Sequence, residues 1–128
     1  MNKIQKIFLF LFISGSAFAL DIYEDISNAI RNGDSKQLAT FFGSSIDLTV
    51  IDKENVYSKA QAEFVLKDFF VKNPPKSFNI LHKGSSPEGT QYAIGNLITS
   101  NGKSFRTSFY VKNNNGKFLL QELRIETE

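Results

Sequence analysis

The longest amphipathic segment of the chain, Tyr57–Asn73, predicts a single helix. Ser58 and Gln61 have the spacing of a capping box, in which each side chain binds the backbone N–H of the other residue. The two prolines that follow end the helix, because the residue before a proline is driven out of the helical region. At about 100° per residue, most apolar positions fall in one broad stripe: Ala62, Val65, Leu66, Phe69 and Phe70. Phe64 and Val71 form a second, narrow stripe on the other side, so we expect this helix to be covered on two sides.

Two shorter helical patterns precede this segment. Residues 20–32 repeat apolar side chains at helical spacing, and Gly33 follows where a left-handed terminating residue is favoured. Asp34 and Gln37 then cap a short helix, which Gly43 ends. The apolar residues that this short helix carries inward are Leu38, Phe41 and Phe42. We expect one of these two helices to cover the narrow stripe of the long helix.

Alternating apolar and polar residues predict strands on both sides of the long helix. Before it lie a strand at 45–51 and a brief return strand at Val56-Tyr57. After it lie four strands, at 77–83, 90–100, 103–112 and 117–127. The last strand keeps its apolar residues on one face only if a residue bulges out near Gln121-Glu122. Because bulges bend strands, we expect a bent sheet that wraps the long helix.

The dipeptide Asn101-Gly102 predicts a tight hairpin with a two-residue loop. That loop places Ile98 opposite Phe105 and Asn96 opposite Thr107. The face that we expect to be buried then carries Tyr92, Ile94, Asn96, Ile98, Phe105, Thr107, Phe109 and Val111. The opposite, outer face carries Ala93, Gly95, Leu97, Arg106, Ser108 and Tyr110. This register gathers nearly all the large apolar residues of both strands on one face.

Several of these segments resemble a known fold. The sequence Ala29–Asp34, followed by Leu38-Ala39, Phe41-Phe42 and Ile46–Leu48, resembles the opening of nuclear-transport-factor-2-like (cystatin-like α+β) domains. The long helix and the four strands that end in Gly116–Leu120 continue this resemblance. Two further stretches are similar to a small exported bacterial family of unknown function: Phe78–Gly84 and Tyr92–Leu97.

The resemblance implies an α+β cone, in which N-terminal helices and one long helix pack on a strongly bent antiparallel sheet. It also implies a homodimer that forms through the outer face of the sheet. It implies no particular activity, because the same cone serves isomerases, dehydratases and domains that only bind.

The first 19 residues predict a signal peptide. Lys3 and Lys6 precede the apolar run Ile7–Ile13, and Ala17-Phe18-Ala19 has the small-x-small pattern of a cleavage site. The apolar run is shorter than the roughly 20 residues that span a bilayer, although a retained anchor is the alternative. We therefore expect an exported protein, periplasmic or secreted, whose single domain covers residues 20–128 and does not insert into the membrane after cleavage.

Charge and composition narrow the possible partners and cofactors. Removal of Lys3 and Lys6 leaves 13 basic and 13 acidic residues, which gives no electrostatic reason to expect nucleic-acid binding. The chain has no cysteine and one histidine, so disulfides, thiolate sites and multi-histidine metal sites are excluded. It also has no phosphate-binding loop, nucleophile elbow or zinc-ligand spacing. We expect no metal and no cofactor.

Polar residues on the predicted inner face mark a candidate ligand site. A polar pair inside an apolar face costs stability unless it is satisfied, and binding pockets orient ligands with a few such groups. The ligand-binding candidates are His82, Tyr92, Asn96, Thr107 and Phe109. The alternative is that Asn96 and Thr107 bond to each other or to a buried water, and that His82 bonds to a neighbouring carbonyl.

Three residues of the predicted outer face are candidates for the dimer interface: Leu97, Arg106 and Tyr110. Arginine and tyrosine are enriched at interfaces, although ordinary exposure explains them as well.

These observations favour a binding or interaction module with a shallow apolar cavity that takes a small apolar ligand. Two alternatives stay open. One is a small cofactor-free isomerase or dehydratase that uses His82 or a buried acid as its base; the other is a structural subunit of an envelope complex. Such an enzyme needs an ionisable base with a partner, whereas the predicted inner face offers amides, hydroxyls and carbon.

Overall fold

A computed structural model describes residues 21–128, so the predicted signal peptide (residues 1–19) and Leu20 lie outside the described residues. The elements in chain order are α1 (Asp21–Arg31), α2 (Ser35–Ala39), β1 (Phe42–Val50), β2 (Lys53–Ser58), α3 (Lys59–Lys72), β3 (Pro75–Ser85), β4 (Thr90–Thr99), β5 (Ser104–Asn114) and β6 (Lys117–Thr127). From residue 21 onward, no helix is long and apolar enough to cross a membrane.

The long helix α3 has the predicted caps. The Ser58 side chain accepts a hydrogen bond from the Gln61 N–H, and the Gln61 side chain accepts one from the Ser58 N–H, both at 3.3 Å. The broad stripe faces the core, with Val65 half-buried and the other four residues buried. The predicted cover for the narrow stripe is wrong, because the exposed fractions of Phe64 and Val71 are 72% and 71%.

The N-terminal helices make other contacts than the predicted ones. Gly33 follows the C-terminal end of α1 and has the predicted left-handed conformation, with a φ of +62°. The Asp34 side chain caps α2, also as predicted. Gly43 does not end a helix: α2 stops at Ala39, and Gly43 lies within β1. Helix α1 packs against β3, where Arg31 Nη2 donates to the carbonyl of Phe78 at 3.0 Å. The α1–α2 pair therefore leaves the side of α3 that carries Phe64 and Val71 uncovered.

One six-stranded sheet has the order β2-β1-β6-β5-β4-β3. It is curved and unclosed, with β2 and β3 as its two edges. Neighbouring strands of the sheet are antiparallel, except that β1 and β6 are parallel. The prediction of an antiparallel sheet is therefore wrong at this pair. The exception arises because α3 carries the chain from one edge to the other, and the last strand returns to the middle.

The predicted register between β4 and β5 is wrong by one residue. Leu97, rather than Ile98, lies opposite Phe105, and Gly95, rather than Asn96, lies opposite Thr107. The cause is the loop, which spans three residues between paired Thr99 and Lys103. Within it only Gly102 has a positive φ, of +83°, which is the left-handed position of a three-residue hairpin.

A one-residue slip exchanges the faces of β4 while β5 keeps its predicted face. The buried face therefore carries Ala93, Gly95, Leu97, Phe105, Thr107, Phe109 and Val111.

The strand pairings shift register at four places in the described residues, and two of these shifts are bulges at Gln121 and Leu81. In β6, Gln121 is skipped between the pairs of Tyr110 with Glu122 and Val111 with Leu120, which confirms the predicted bulge. Leu120 and Leu123, on either side of the bulge, are both buried. A second bulge at Leu81 in β3 has no signal in the sequence pattern, and it leaves Leu81 71% exposed.

Candidate functional site

The structure separates the predicted ligand residues onto two faces of the sheet. Thr107 and Phe109 are fully buried between the sheet and the helices. Tyr92 and Asn96 lie on the outer face, where Asn96 Oδ1 accepts a hydrogen bond from Ser104 Oγ at 2.8 Å. Asn96 and Thr107 therefore do not form the predicted pair, because the register shift places their side chains on opposite faces.

Space for a ligand is absent where the inner-face cavity was predicted. The core positions around Thr107 are filled by Leu97, Phe105 and Phe109, each at most 1% exposed. Thr107 Oγ1 is buried and has no hydrogen-bond partner within the described part of the chain. The space between the sheet and the helices is thus packed core rather than an open pocket at this point.

An aromatic row crosses the outer face from β3 to β5. His82 Nε2 lies 3.2 Å from the hydroxyl of Tyr92, and the Tyr92 and Tyr110 ring centroids are 5.9 Å apart. The Tyr92 ring lies over Gly84, where an added Cβ would approach the hydroxyl to 2.3 Å. His82 is exposed and its side-chain partner is a phenol, so the geometry does not join it to a carboxylate.

Two of the three residues predicted for a dimer interface lie on this outer face. Arg106 is exposed and Tyr110 is half-buried there, whereas Leu97 is fully buried on the other side. The placement of Leu97 on the outer face is wrong for the same reason as that of Asn96 on the inner face: β4 is shifted by one residue.

Charged side chains on β6 form an ion-pair cluster beside this row. Arg124 binds Glu126 at 3.2 Å and Glu122 at 3.4 Å. Its hydrogen bond to Glu126 lowers the pKa of that carboxyl and raises the pKa of Arg124 itself. Arg106 lies opposite Glu126 in the β5–β6 register and its charge also lowers the pKa of that carboxyl, although the two form no ion pair within 4.0 Å in residues 21–128.

Tyr23 links α1 to the end of β3. Its hydroxyl donates to the carbonyl of Gly84 at 3.4 Å, and Lys83 Nζ lies 4.9 Å from its ring centroid. Burial raises the pKa of Tyr23, and the nearby Tyr92 adds to this rise. This phenol therefore stays neutral and serves as a donor that holds α1 against the sheet.

A concave surface with exposed apolar side chains lies between α3 and the β1–β2 hairpin. We call it the α3–hairpin groove. One end is a cavity of about 320 Å³ lined by Val50, Ile51, Lys53, Tyr57, Phe64, Val65, Asp68, Phe69, Lys72 and Asn73. The other end, of about 580 Å³, is lined by Asn55, Val56, Tyr57, Ala60, Gln61, Phe64 and Val65. Phe64, Val65 and Tyr57 line both ends, so the two cavities form one continuous groove.

Backbone strain is stored at the rim of this groove. Ile51 has a φ of +63°, a conformation that a β-branched residue adopts at a cost of order 1–3 kcal/mol. The turn is held there because the Ile51 N–H donates to the carbonyl of Ile125 at 2.7 Å. The Ile51 side chain is 41% exposed, so the strained turn presents an apolar side chain to the groove.

Charges at the groove are few. Lys72 binds Asp68 at 3.0 Å, a pair exposed to solvent, whereas Lys53 forms no ion pair in the described segment. Elsewhere in that segment no group of three or more histidines or carboxylates is placed to hold a metal ion. The groove therefore offers an apolar wall and one uncompensated cation.

Sequence reasoning missed this groove. Its main signal was present, because Phe64 lies outside the broad stripe of α3 and needed either a cover or a ligand. The strained turn had no sequence signal, since Ile51-Asp52 lacks the glycine or asparagine that marks a positive φ.

Comparisons with known proteins identify relatives of this chain. Residues 23–126 match the family model described as "Domain of unknown function (DUF4783)". The chain is similar to crystal structures of DUF4783 family proteins from Bacteroides ovatus (28% identity, TM-score 0.75) and Bacteroides uniformis (27%, 0.76). These alignments cover 81% and 82% of this chain and 93% and 95% of the relatives. None of the curated proteins matches significantly.

More distant structures share the fold alone. A putative calcium/calmodulin dependent protein kinase II association domain from Xanthomonas campestris is 16% identical with a TM-score of 0.63, over 86% of this chain and 85% of that one. A de novo designed protein with a curved β-sheet is 17% identical with a TM-score of 0.68, over 84% and 97%. The resemblance to nuclear-transport-factor-2-like domains and to a family of unknown function is confirmed.

Proposed function

This chain belongs to the DUF4783 family of domains of unknown function, and we propose that it is a binding module whose ligand site is the α3–hairpin groove. Membership of this family indicates no activity, and proteins with the nuclear-transport-factor-2-like fold have many different activities. The proposal therefore depends on the site itself.

The observation that carries the proposal is the exposure of Phe64. A phenylalanine that is 72% exposed gains about 1.5–3 kcal/mol when a ligand buries it fully. Phe64 lines both ends of the groove together with half-buried Val65 and Tyr57, so one ligand would cover all three. Binding sites are concave and mostly apolar with a few polar groups, and this groove has that composition.

The chemistry of the lining indicates the class of ligand. An apolar body would lie on Phe64 and Val65, and an anionic group would lie beside Lys53, the lining cation that has no ion pair in residues 21–128. The filled core around Thr107 and Phe109 supports a site outside the cone interior. The contact of His82 with a phenol rather than a carboxylate favours binding over an isomerase or dehydratase reaction.

Titration with anilinonaphthalene sulfonate, an apolar fluorophore with one negative charge, tests this site. We expect Phe64→Ser to weaken binding by about tenfold, because the variant loses the side chain that the probe would bury. Val71→Ser is the matched control: Val71 is equally exposed on the same helix but lies outside the groove. Equal affinities of the two variants for the probe, at unchanged urea unfolding midpoints, would refute the site.

A second proposal concerns the outer face of the sheet. We infer that two copies of the chain associate through this face. Its support is the combination of the aromatic row, exposed Arg106, and Ile98, which is 37% exposed at the end of β4. Tyrosine and arginine are the residue types that anchor interfaces.

A further inference from the structure

We propose that the open edge of β2 accepts an extended segment of a partner protein as an additional strand. The segment would be apolar and would carry an acidic residue at its C-terminal end, beside Lys53. The inference rests on the proposed function, because the added strand would be the ligand that fills the α3–hairpin groove.

The two edges of the sheet differ in how they are protected. Edge strands expose unpaired backbone groups, and proteins block them with short strands, charged side chains, prolines, bulges or covering elements. The β3 edge begins with Pro75, carries the bulge at Leu81 and is packed by α1. In contrast, β2 pairs with β1 through six consecutive residues without a shift and has no proline, and its charged residues are confined to its first two positions, Lys53 and Glu54. Its Val56 is 70% exposed. The β2 edge is thus the one that can accept a strand.

The hydrogen-bond pattern identifies the free backbone groups. The Ile51 N–H donates to Ile125 on β6, and backbone groups alternate in direction along a strand. Even-numbered residues of β1 therefore point to β2 and bond its residues Lys53, Asn55 and Tyr57. The N–H and C=O groups of Glu54 and Val56 point to the open edge, and neither residue forms a backbone hydrogen bond outside the β1–β2 ladder within residues 21–128.

The groove matches an extended chain in length and lining. Six residues of β2 span about 20 Å at 3.3 Å per residue, and the fourteen residues of α3 span about 21 Å alongside. Inner-facing side chains of an added strand would contact Phe64 and Val65, and outer-facing ones would lie beside Val56. Strand addition uses main-chain bonds for affinity and alternate side chains for specificity.

The charge of Lys53 indicates which end of the added segment is acidic. In an antiparallel pair, the C-terminal end of the incoming strand lies beside Lys53, the first residue of β2. A carboxylate there would form the ion pair that Lys53 lacks in the described residues. A second copy of β2 fits less well, because it supplies no carboxylate there. Antiparallel pairing centred on Val56, Asn55 or Glu54 places Lys59, Tyr57 or Asn55 of the other copy opposite Lys53.

The test is fluorescence anisotropy with labelled acetyl-Ser-Val-Thr-Val-Ile-Asp and two N-methylated versions of it. Each version carries methyl groups on one alternating set of amides, so its side chains are unchanged. We expect one version to bind about tenfold more weakly, because its blocked amides face β2, and the other to bind like the parent peptide. Equal binding of both versions would overturn strand addition while leaving the groove as the site.

Variants of the protein provide an independent measurement. Val56→Pro removes an N–H that the β1–β2 ladder does not use, so we expect about tenfold weaker peptide binding with the fold retained. Val56→Thr keeps the N–H and the shape, and it should bind as the parent does. Lys53→Glu should weaken binding of the Asp-ended peptide and favour a Lys-ended one.

Three results would overturn the proposal. One is equal peptide affinity in Val56→Pro and Val56→Thr. Another is the absence of peptide binding in a protein that still binds the fluorophore in a Phe64-dependent way. In that case the proposed function survives. The third is a concentration-dependent dimer that Val56→Pro abolishes, because the occupant would then be a second copy. Loss of Phe64 dependence for both probes would refute the proposed function as well.

Discussion

Gly95 marks a close approach of two strands in the core. The ring of Phe78, on β3, lies where the side chain of residue 95 would be: an added Cβ would stand 2.7 Å from Phe78 Cζ and 2.6 Å from the carbonyl oxygen of Asn79. Gly84 does the same for Tyr92 on the outer face. In both strands a glycine accommodates an aromatic ring of the neighbouring strand. At Gly95 this agrees with the prediction from the sequence, because a glycine inside a strand indicates a bulge or the close approach of another backbone.

We expect Gly95→Ala to destabilise the protein by about 1–3 kcal/mol in urea denaturation, because buried backbone and a buried ring would have to move. Gly43→Ala is the control, since its nearest neighbours would be 3.7 Å away in ordinary contact. That variant should be as stable as the parent or up to about 1 kcal/mol more stable. Equal losses in both variants would contradict the close packing at Gly95.

Asn101 likewise has a role that differs from its predicted one. Its side chain donates to Asn73 Oδ1 at 3.2 Å and to the carbonyl of Lys72 at 3.3 Å, and it accepts from Thr99 Oγ1. The β4–β5 loop is thereby bound to the C-terminal end of α3. The residue that suggested a two-residue turn is instead selected by a tertiary contact.

At the scale of elements, α3 joins the core to the groove. Its buried side carries Phe69, whose ring packs edge-on against Phe70 at 5.6 Å and against Phe105 of β5 at 5.2 Å between centroids. Its other side carries exposed Phe64. The same helix thus stabilises the fold with one face and presents a ligand surface with another.

We expect Phe69→Ala to lower the free energy of unfolding by about 3–5 kcal/mol, because it removes a buried phenylalanine and leaves a cavity. Phe64→Ala should change it by about 0.5 kcal/mol or less, as for an exposed side chain. Chemical denaturation of both variants measures this contrast. A loss below about 1 kcal/mol for Phe69→Ala would contradict the packing of α3 on β5.

At the scale of the whole molecule, the two proposals use different parts of the open sheet, the outer face and the β2 edge. The order β2-β1-β6-β5-β4-β3 places β2 three positions away from β5, yet Val56 of β2 and Tyr110 of β5 line one cavity of the outer face. Phe64 and Ile98 lie outside that cavity, so variants of these two residues distinguish the two proposals.

Light scattering tests association through the outer face. We expect Tyr110→Asp and Ile98→Asp to give monomers, because each places a charge on that face. Val71→Asp, on the exposed side of α3, should leave the mass unchanged. An unchanged mass in the two outer-face variants would reject this surface. Leu97→Asp is unsuitable for the purpose, because Leu97 is fully buried and its replacement would unfold the core.

Much of the fold could be predicted from the sequence because its signals are local. The capping box of α3, the left-handed Gly33 and the Asp34 cap are each fixed by residues within one turn. The bulge at Gln121 followed from the apolar period of β6 alone. The signal peptide and the export that it implies stay predictions, outside the described residues.

The candidate site could not be predicted, because it depends on which face of each strand is buried. Strand β4 is apolar on both faces, with Ala93 and Leu97 on one and Ile94 and Ile98 on the other. Local patterns were sufficient to predict the order of the helices and strands, the caps and the family. Packing between distant elements was needed to place the smaller residues of β4 inward, where Phe78 fills the space over Gly95, and to leave Phe64 uncovered. The physical reason is that caps and turns are set by neighbours in the chain, whereas register and coverage are set by the volume available between distant elements.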